Sequence, residues 1–136
     1  MRPIALDTNA YTAFKRGDEQ IVAVLQHAPI ILVCVTVLGE LLGGFAAGQR
    51  ESNNRSELTQ FLDSPRVKVV HSTTATADLY ALVYAALRRK GHPIPTNDLW
   101  IAASCLEYGA ALLTFDAHFQ NIDGLRAGTR LDDFIP

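Results

Sequence analysis

Residues 30–35, "IILVCV", form an unbroken apolar run rich in β-branched side chains. A strand sends alternate side chains to opposite faces. A run with no polar position is therefore a strand covered on both faces, as in parallel sheets flanked by helices. The run is also far shorter than the roughly 20 residues needed to span a bilayer, and no other apolar run approaches that length.

The rest of the chain alternates strand-like and helix-like text. "IALD" (4–7) is a short apolar run closed by an acid, and "VKVV" (67–70) and "ALLTF" (111–115) read as further strands, with "GTRL" (128–131) a weak fifth. Between them lie helices. Ile21, Val22, Val24 and Leu25 make a stripe, Thr36 offers an N-cap to "VLGELLGGF", and the polar stretch 48–57 leads into a helix ending near Leu62. Residues 75–91 carry Leu79, Leu82, Val83, Ala86 and Leu87 at the helical period, with Gly91 as the stop. The helix after "HPIPTN", running from Asp98 to Gly109, is apolar on nearly every face and so reads as buried. Strands alternating with helices predict an α/β fold, a mostly parallel sheet covered by helices, with residues 1–136 as one domain.

Composition narrows the function only by exclusion. A formal net charge of −2 is not that of a basic nucleic-acid binder, so contact with nucleic acid requires a local patch or a neutralising metal. Cys34 and Cys105 are isolated, without metal-type spacing, and read as core residues of a chain in a reducing, cytoplasmic setting. The apolar run before Asp7 is too short for a secretory signal.

The acids are the informative residues. In a parallel sheet the C-terminal ends of the strands share one edge, where ligands bind. Asp7 closes the first strand, Asp116 follows the fourth, and Glu40 lies about one helical turn beyond the N-cap after the second. The helix beginning at Asp98 runs roughly 16 Å away from that edge, and the strand ending before Asp116 returns by roughly the same length. Asp98 and Asp116 should therefore meet. Four anions sharing a cleft require protons or a cation. With His27, His71, His92 and His118 scattered singly, the donors are oxygens, which favours Mg²⁺ or Mn²⁺ and hydrolysis of a phosphodiester.

"LDTNAY", "VLGELL", "PIPTNDLWIAA" and "LLTFDAHF", in this order and spacing, resemble the PIN domain, most closely the toxin ribonucleases (VapC) of VapBC toxin–antitoxin pairs. The resemblance covers essentially the whole chain. It implies a PIN-like three-layer sandwich with a five-stranded sheet and Mg²⁺- or Mn²⁺-dependent cleavage of RNA. It also implies homodimerisation and inhibition by a cognate VapB-like antitoxin. Asp7, Glu40, Asp98 and Asp116 match the family's metal-binding acids. Thr8 and Asn9 complete the first motif, and Thr114 matches the hydroxyl position before the last acid.

Plainer readings stand beside these. Asp98 suits an N-cap, Asn9 suits a cap for a helix starting near Ala10, and Glu40 suits a solvated helix position. Thr114 suits an ordinary buried strand. Arg88, Arg89 and Lys90 are candidates for RNA phosphates, yet they also occupy a helix's last turn, where the dipole favours cations. Trp100 reads as core. An aspartate-nucleophile phosphatase would want an acid where Asn9 stands, and a receiver domain would want a lysine after its last strand, whereas the last lysine is Lys90. The remaining alternative is a non-catalytic partner-binding PIN-like module.

Overall fold

The computed structural model describes residues 1–136. Its strands are β1 (Ile4–Leu6), β2 (Ile31–Cys34), β3 (Val67–Val70), β4 (Ala111–Leu113) and β5 (Ala127–Gly128). They form one sheet in the order β3-β2-β1-β4-β5, with every neighbouring pair parallel. Six helices fill the connections: α1 (Thr8–Lys15), α2 (Glu19–His27), α3 (Val35–Ala47), α4 (Glu51–Leu62), α5 (Thr74–Lys90) and α6 (Thr96–Tyr108). The chain steps from β1 to β2 to β3, then crosses back to β4 on the far side of β1. Right-handed crossovers therefore place α1 to α4 on one face of the sheet and α5 with α6 on the other. This is the α/β sandwich expected from the sequence.

The central strands are dry because both faces are covered. All of β2 is buried, and Ile4, Leu6, Ile31, Val33, Leu112 and Leu113 are no more than 2 % exposed. In α6, Leu99, Ile101, Ala102, Ala103 and Cys105 are buried, as its apolar surface requires. Both cysteines are free and buried. Thr73 and Thr76 cap the start of α5 reciprocally, and both hydroxyls also donate to the Glu107 carboxylate near the end of α6. With only a short link between them, α5 and α6 thus pack antiparallel. Gly91 ends α5 at φ 76°, a left-handed conformation that glycine adopts without strain. On the other face, Arg66 Nη1 donates to the carbonyls of Leu25 (2.8 Å) and Ala28 (2.6 Å), satisfying the open end of α2 beside the entrance to β3.

Several local expectations are corrected. The ladder of β2 with β3 ends at the Cys34–Val70 pair and the chain turns at once, so α3 begins at Val35. Cys34, not Thr36, occupies the N-cap position there, with no side-chain bond. Asn9 lies inside α1, whose cap is Asp7. Leu82, on the helical stripe of α5, is 64 % exposed, because the buried stripe runs through Thr76, Val83 and Leu87. The fifth strand is Ala127–Gly128, slightly before the stretch expected.

Candidate metal centre

The sheet order reverses between β1 and β4, whose outgoing loops lead to opposite faces and leave a crevice at their C-terminal ends. Asp7 leaves β1 here. Its amide donates to the Leu113 carbonyl at 3.0 Å, holding it level with the end of β4. Its Oδ1 accepts from the Thr8 amide at 2.8 Å as the cap of α1, and its Oδ2 accepts from the Thr114 hydroxyl at 2.6 Å. That hydroxyl in turn accepts from the Asp116 amide at 3.0 Å, so one threonine orients two acids.

Asp98 reaches the crevice from the first turn of α6. The N-cap position of this helix is Pro95, with no side-chain cap, so Asp98 is not the cap. Its carboxylate still benefits from the positive end of the helix dipole. Glu40, on α3, is partly buried, accepts from the Thr8 hydroxyl at 2.5 Å and from Asn97 Nδ2 at 3.3 Å, and so is not a free surface charge. The structure brings all four acids to one edge, where they sense one another's charge.

That crowding has an electrostatic cost. Burial pushes the Asp7 carboxyl above its ordinary 3.8; bonds from Thr114 and Thr8 oppose the rise, and the charges of Glu40 and Asp116 add to it. Burial likewise raises Asp98, followed by repulsion from Asp7 and Asp116, with His118 pulling the other way. Repulsion among anions is the part a cation would remove. A mostly oxygen donor set of this kind fits a hard divalent ion.

His118, set aside among the scattered histidines when read from sequence, is placed by the structure with Asp98 and Asp116, which corrects that reading. Its Nε2 lies 2.8 Å from Asp116 Oδ1 and its Nδ1 lies 3.3 Å from Asp98 Oδ2, so the ring bridges the two acids. Donor atoms of Asp98, Asp116 and His118 all lie within 4.8 Å of one another. The signal was its position two residues after Asp116, on the 3-10 turn (Ala117–Asn121) that Asp116 leads into. Asn97 was missed for a similar reason, since its role depends on Glu40 from another helix. Asn9 does no capping; its Oδ1 accepts from the Phe115 amide at 3.2 Å and ties α1 to the loop after β4. Arg88, Arg89 and Lys90 close α5 at the end that residues 91–95 link to the start of α6. Lys90 pairs with Asp123 (2.7 Å) and the Asn121 carbonyl (2.8 Å), and the Arg88 guanidinium sits 5.3 Å from the Tyr84 ring centre. Trp100 packs against Tyr80, with ring centres 4.4 Å apart.

A parallel sheet with acids gathered at its switch point defines an α/β protein with an anionic centre. Comparison with known proteins narrows this class. The model of the PIN domain matches residues 4–125, and the chain belongs to that family. It is 28 % identical over 128 residues to ribonuclease VapC1 of Haemophilus influenzae, covering 89 % of this chain and 92 % of that one. It is 35 % identical over 85 residues to ribonuclease VapC4 of Mycobacterium tuberculosis, covering 62 % and 65 % of the two chains. Among solved structures it resembles VapBC2 from Rickettsia felis bound to a DNA fragment from their promoter, with a TM-score of 0.84, 25 % identity and 94 % and 98 % coverage. DNA-bound VapBC from Salmonella typhimurium is similar, with a TM-score of 0.83, 25 % identity and 95 % and 98 % coverage. No helix is long and apolar enough to cross a membrane.

Proposed function

We propose that this chain is a divalent-metal-dependent endoribonuclease, the toxin of a toxin–antitoxin pair, in which Asp7, Glu40, Asp98 and Asp116 hold Mg²⁺ or Mn²⁺. The observation that carries this reading is the set of four acids at the β1/β4 switch point, two of them with raised carboxyl pKa values. An arrangement that destabilises itself without a cation is poorly explained as structure alone. The names of the relatives, ribonucleases VapC1 and VapC4, support RNA as substrate. The VapBC complexes among the similar structures support a VapB-like antitoxin as partner. Homodimerisation and a cytoplasmic location belong to the same proposal.

When bound, such an ion supplies Lewis-acid polarisation of the phosphodiester and a nucleophile at neutral pH. The protein's own part is positioning. Thr114 fixes Asp7 relative to Asp116, while Thr8 and Asn97 hold both oxygens of Glu40. His118 stands between Asp98 and Asp116, where it offsets part of their mutual repulsion.

The test is cleavage of total cellular RNA by the metal-free protein, with Mg²⁺ or Mn²⁺ added and then removed by EDTA, followed by mapping of the new ends. Cleavage should require the ion and should fall in acid, where protons compete for the carboxylates. Full activity in EDTA would reject the metal role. Metal binding without cleavage of any RNA would favour the non-catalytic module.

A further inference from the structure

Phe115 stands between Thr114 and Asp116 and is 50 % exposed, although Leu113 and Thr114 just before it are buried. The Asn9 bond to its amide anchors the backbone that carries the ring. The ring lines a cleft of about 660 Å³ with Asn9, Thr12, Arg16 and Asp18. A second cleft, of about 440 Å³, shares Thr12 and Arg16 with the first and adds Lys15, Arg50 and Asn53. Together they make one track along α1, leading away from the acids. At 1.5 Å per residue, Arg16 lies roughly 12 Å beyond Thr8.

The charges on this track are unevenly engaged. Lys15 pairs with Glu57 at 3.3 Å, and the Asp18 carboxylate caps α2 by accepting from the amides of Gln20 and Ile21. No carboxylate lies in salt-bridge range of Arg16 or Arg50. Both guanidiniums are exposed. Arg16 thus shares a cleft with the exposed Phe115 ring, and Arg50 lines the adjoining cleft that Arg16 also borders.

We infer that this track binds single-stranded RNA as it leaves the acidic edge, with an unpaired base stacked on Phe115 and phosphates held by Arg16 and Arg50. The substrate class rests on the nuclease proposal above; the location of the track rests on the side chains just described. A base offers a π-face to an aromatic ring only when it is unstacked, which selects loops and single strands. Guanidinium groups match phosphate oxygens in fork geometry. A protein segment seated on Phe115 is the competing occupant. The two unpaired guanidiniums and the isolation of the ring, which is not part of a broad apolar patch, favour nucleic acid.

The experiment measures binding separately from cleavage. A fluorescein-labelled single-stranded RNA of about eight nucleotides, within the span of known single-strand sites, is titrated with the full chain carrying Asp98→Asn. Anisotropy is followed in Mg²⁺ at several salt concentrations. Phe115→Ala should weaken binding about tenfold and Phe115→Tyr should retain it. Arg16→Gln and Arg50→Gln should each lower the slope of log affinity against log salt by about 0.7, the value for one phosphate contact on a single strand. Arg2→Gln, before β1 and so at the opposite edge of the sheet, should leave the slope unchanged. Affinity and slope unaffected by Phe115→Ala, Arg16→Gln and Arg50→Gln would overturn the inference, as would absence of RNA binding by the parent. RNA that binds with this dependence but is never cut by the metal-loaded wild type would fail the nuclease proposal instead. RNA cut with the same KM by wild type and Phe115→Ala would fail the track alone.

Discussion

The Thr114 hydroxyl donates to Asp7 at 2.6 Å while accepting from the Asp116 amide at 3.0 Å, joining the acids that follow β1 and β4 through one oxygen. Thr114→Val keeps the shape and removes both bonds. Asp7 then loses the larger of the two bonds opposing its burial, so its carboxyl should become still harder to ionise. Metal affinity and cleavage should fall by about 10- to 100-fold, the usual scale for groups that orient metal ligands. Thr114→Ser should recover most of the loss. Metal titration and RNA cleavage of the folded variants check this, and wild-type values in the valine variant would make Thr114 an ordinary buried strand residue.

Asp98→Asn tests the acid in α6. Because Asp98 does not cap the helix, no capping loss is expected. Removing one charge from a crowded anionic site should leave the metal-free melting temperature unchanged or raised. Metal affinity should fall, and cleavage should drop about 100-fold or more, the scale of losing a major electrostatic contribution. A folded variant that cleaves RNA at the wild-type rate would remove Asp98 from the centre.

The same acids set a pH dependence. Asp7 and Asp98 have folded-state pKa values above the ordinary 3.8. Each therefore contributes stability that is fully present below its unfolded value and is lost as pH rises through the raised folded value. In EDTA, the wild type should lose this contribution as pH rises from the ordinary 3.8 through the raised folded values, whereas Asp98→Asn lacks its own share. The melting temperature of the variant minus that of wild type should grow with pH over this window. Adding Mg²⁺ at neutral pH should shrink the difference by stabilising the wild type more. A difference independent of pH would contradict the assignment of repulsion to this site.

Gly128 offers a test of the sheet's edge, where its carbonyl accepts from the Thr114 amide at 3.0 Å. A methyl group there would lie 2.4 to 2.6 Å from the Asp133 side chain, whose carboxylate is held by the amides of Thr129 (2.9 Å) and Arg130 (3.0 Å). Those two bonds also keep the Asp133 carboxyl below its ordinary value. Gly128→Ala must push this turn aside and should cost about 1–3 kcal/mol, the range for overpacking. Chemical denaturation measures it. Stability equal to wild type would mean that the turn yields freely.

Local pattern was enough to read much of this protein. The run 30–35 dictated a strand buried on both faces, and the apolar surface of the Asp98 helix dictated its burial, since hydrophobic periodicity reflects which sides meet water. The same periodicity and lengths brought Asp98 and Asp116 to one edge, because rise per residue is nearly invariant. Element ends were less legible. Whether Cys34 or Thr36 caps α3, and whether Asp7 or Asn9 caps α1, depends on where ladders to neighbouring strands stop, not on the intrinsic capping preference of one residue. The finer structure of the site was decided by tertiary contact alone. Thr114 meets Asp7 across 107 positions, and Asn97 meets Glu40 across 57. His118 bridges two acids only because α6 delivers Asp98 beside the turn that carries Asp116. Hydrogen bonds act over a few ångströms, so a partner remote in sequence acquires its role only when the fold brings the two groups together.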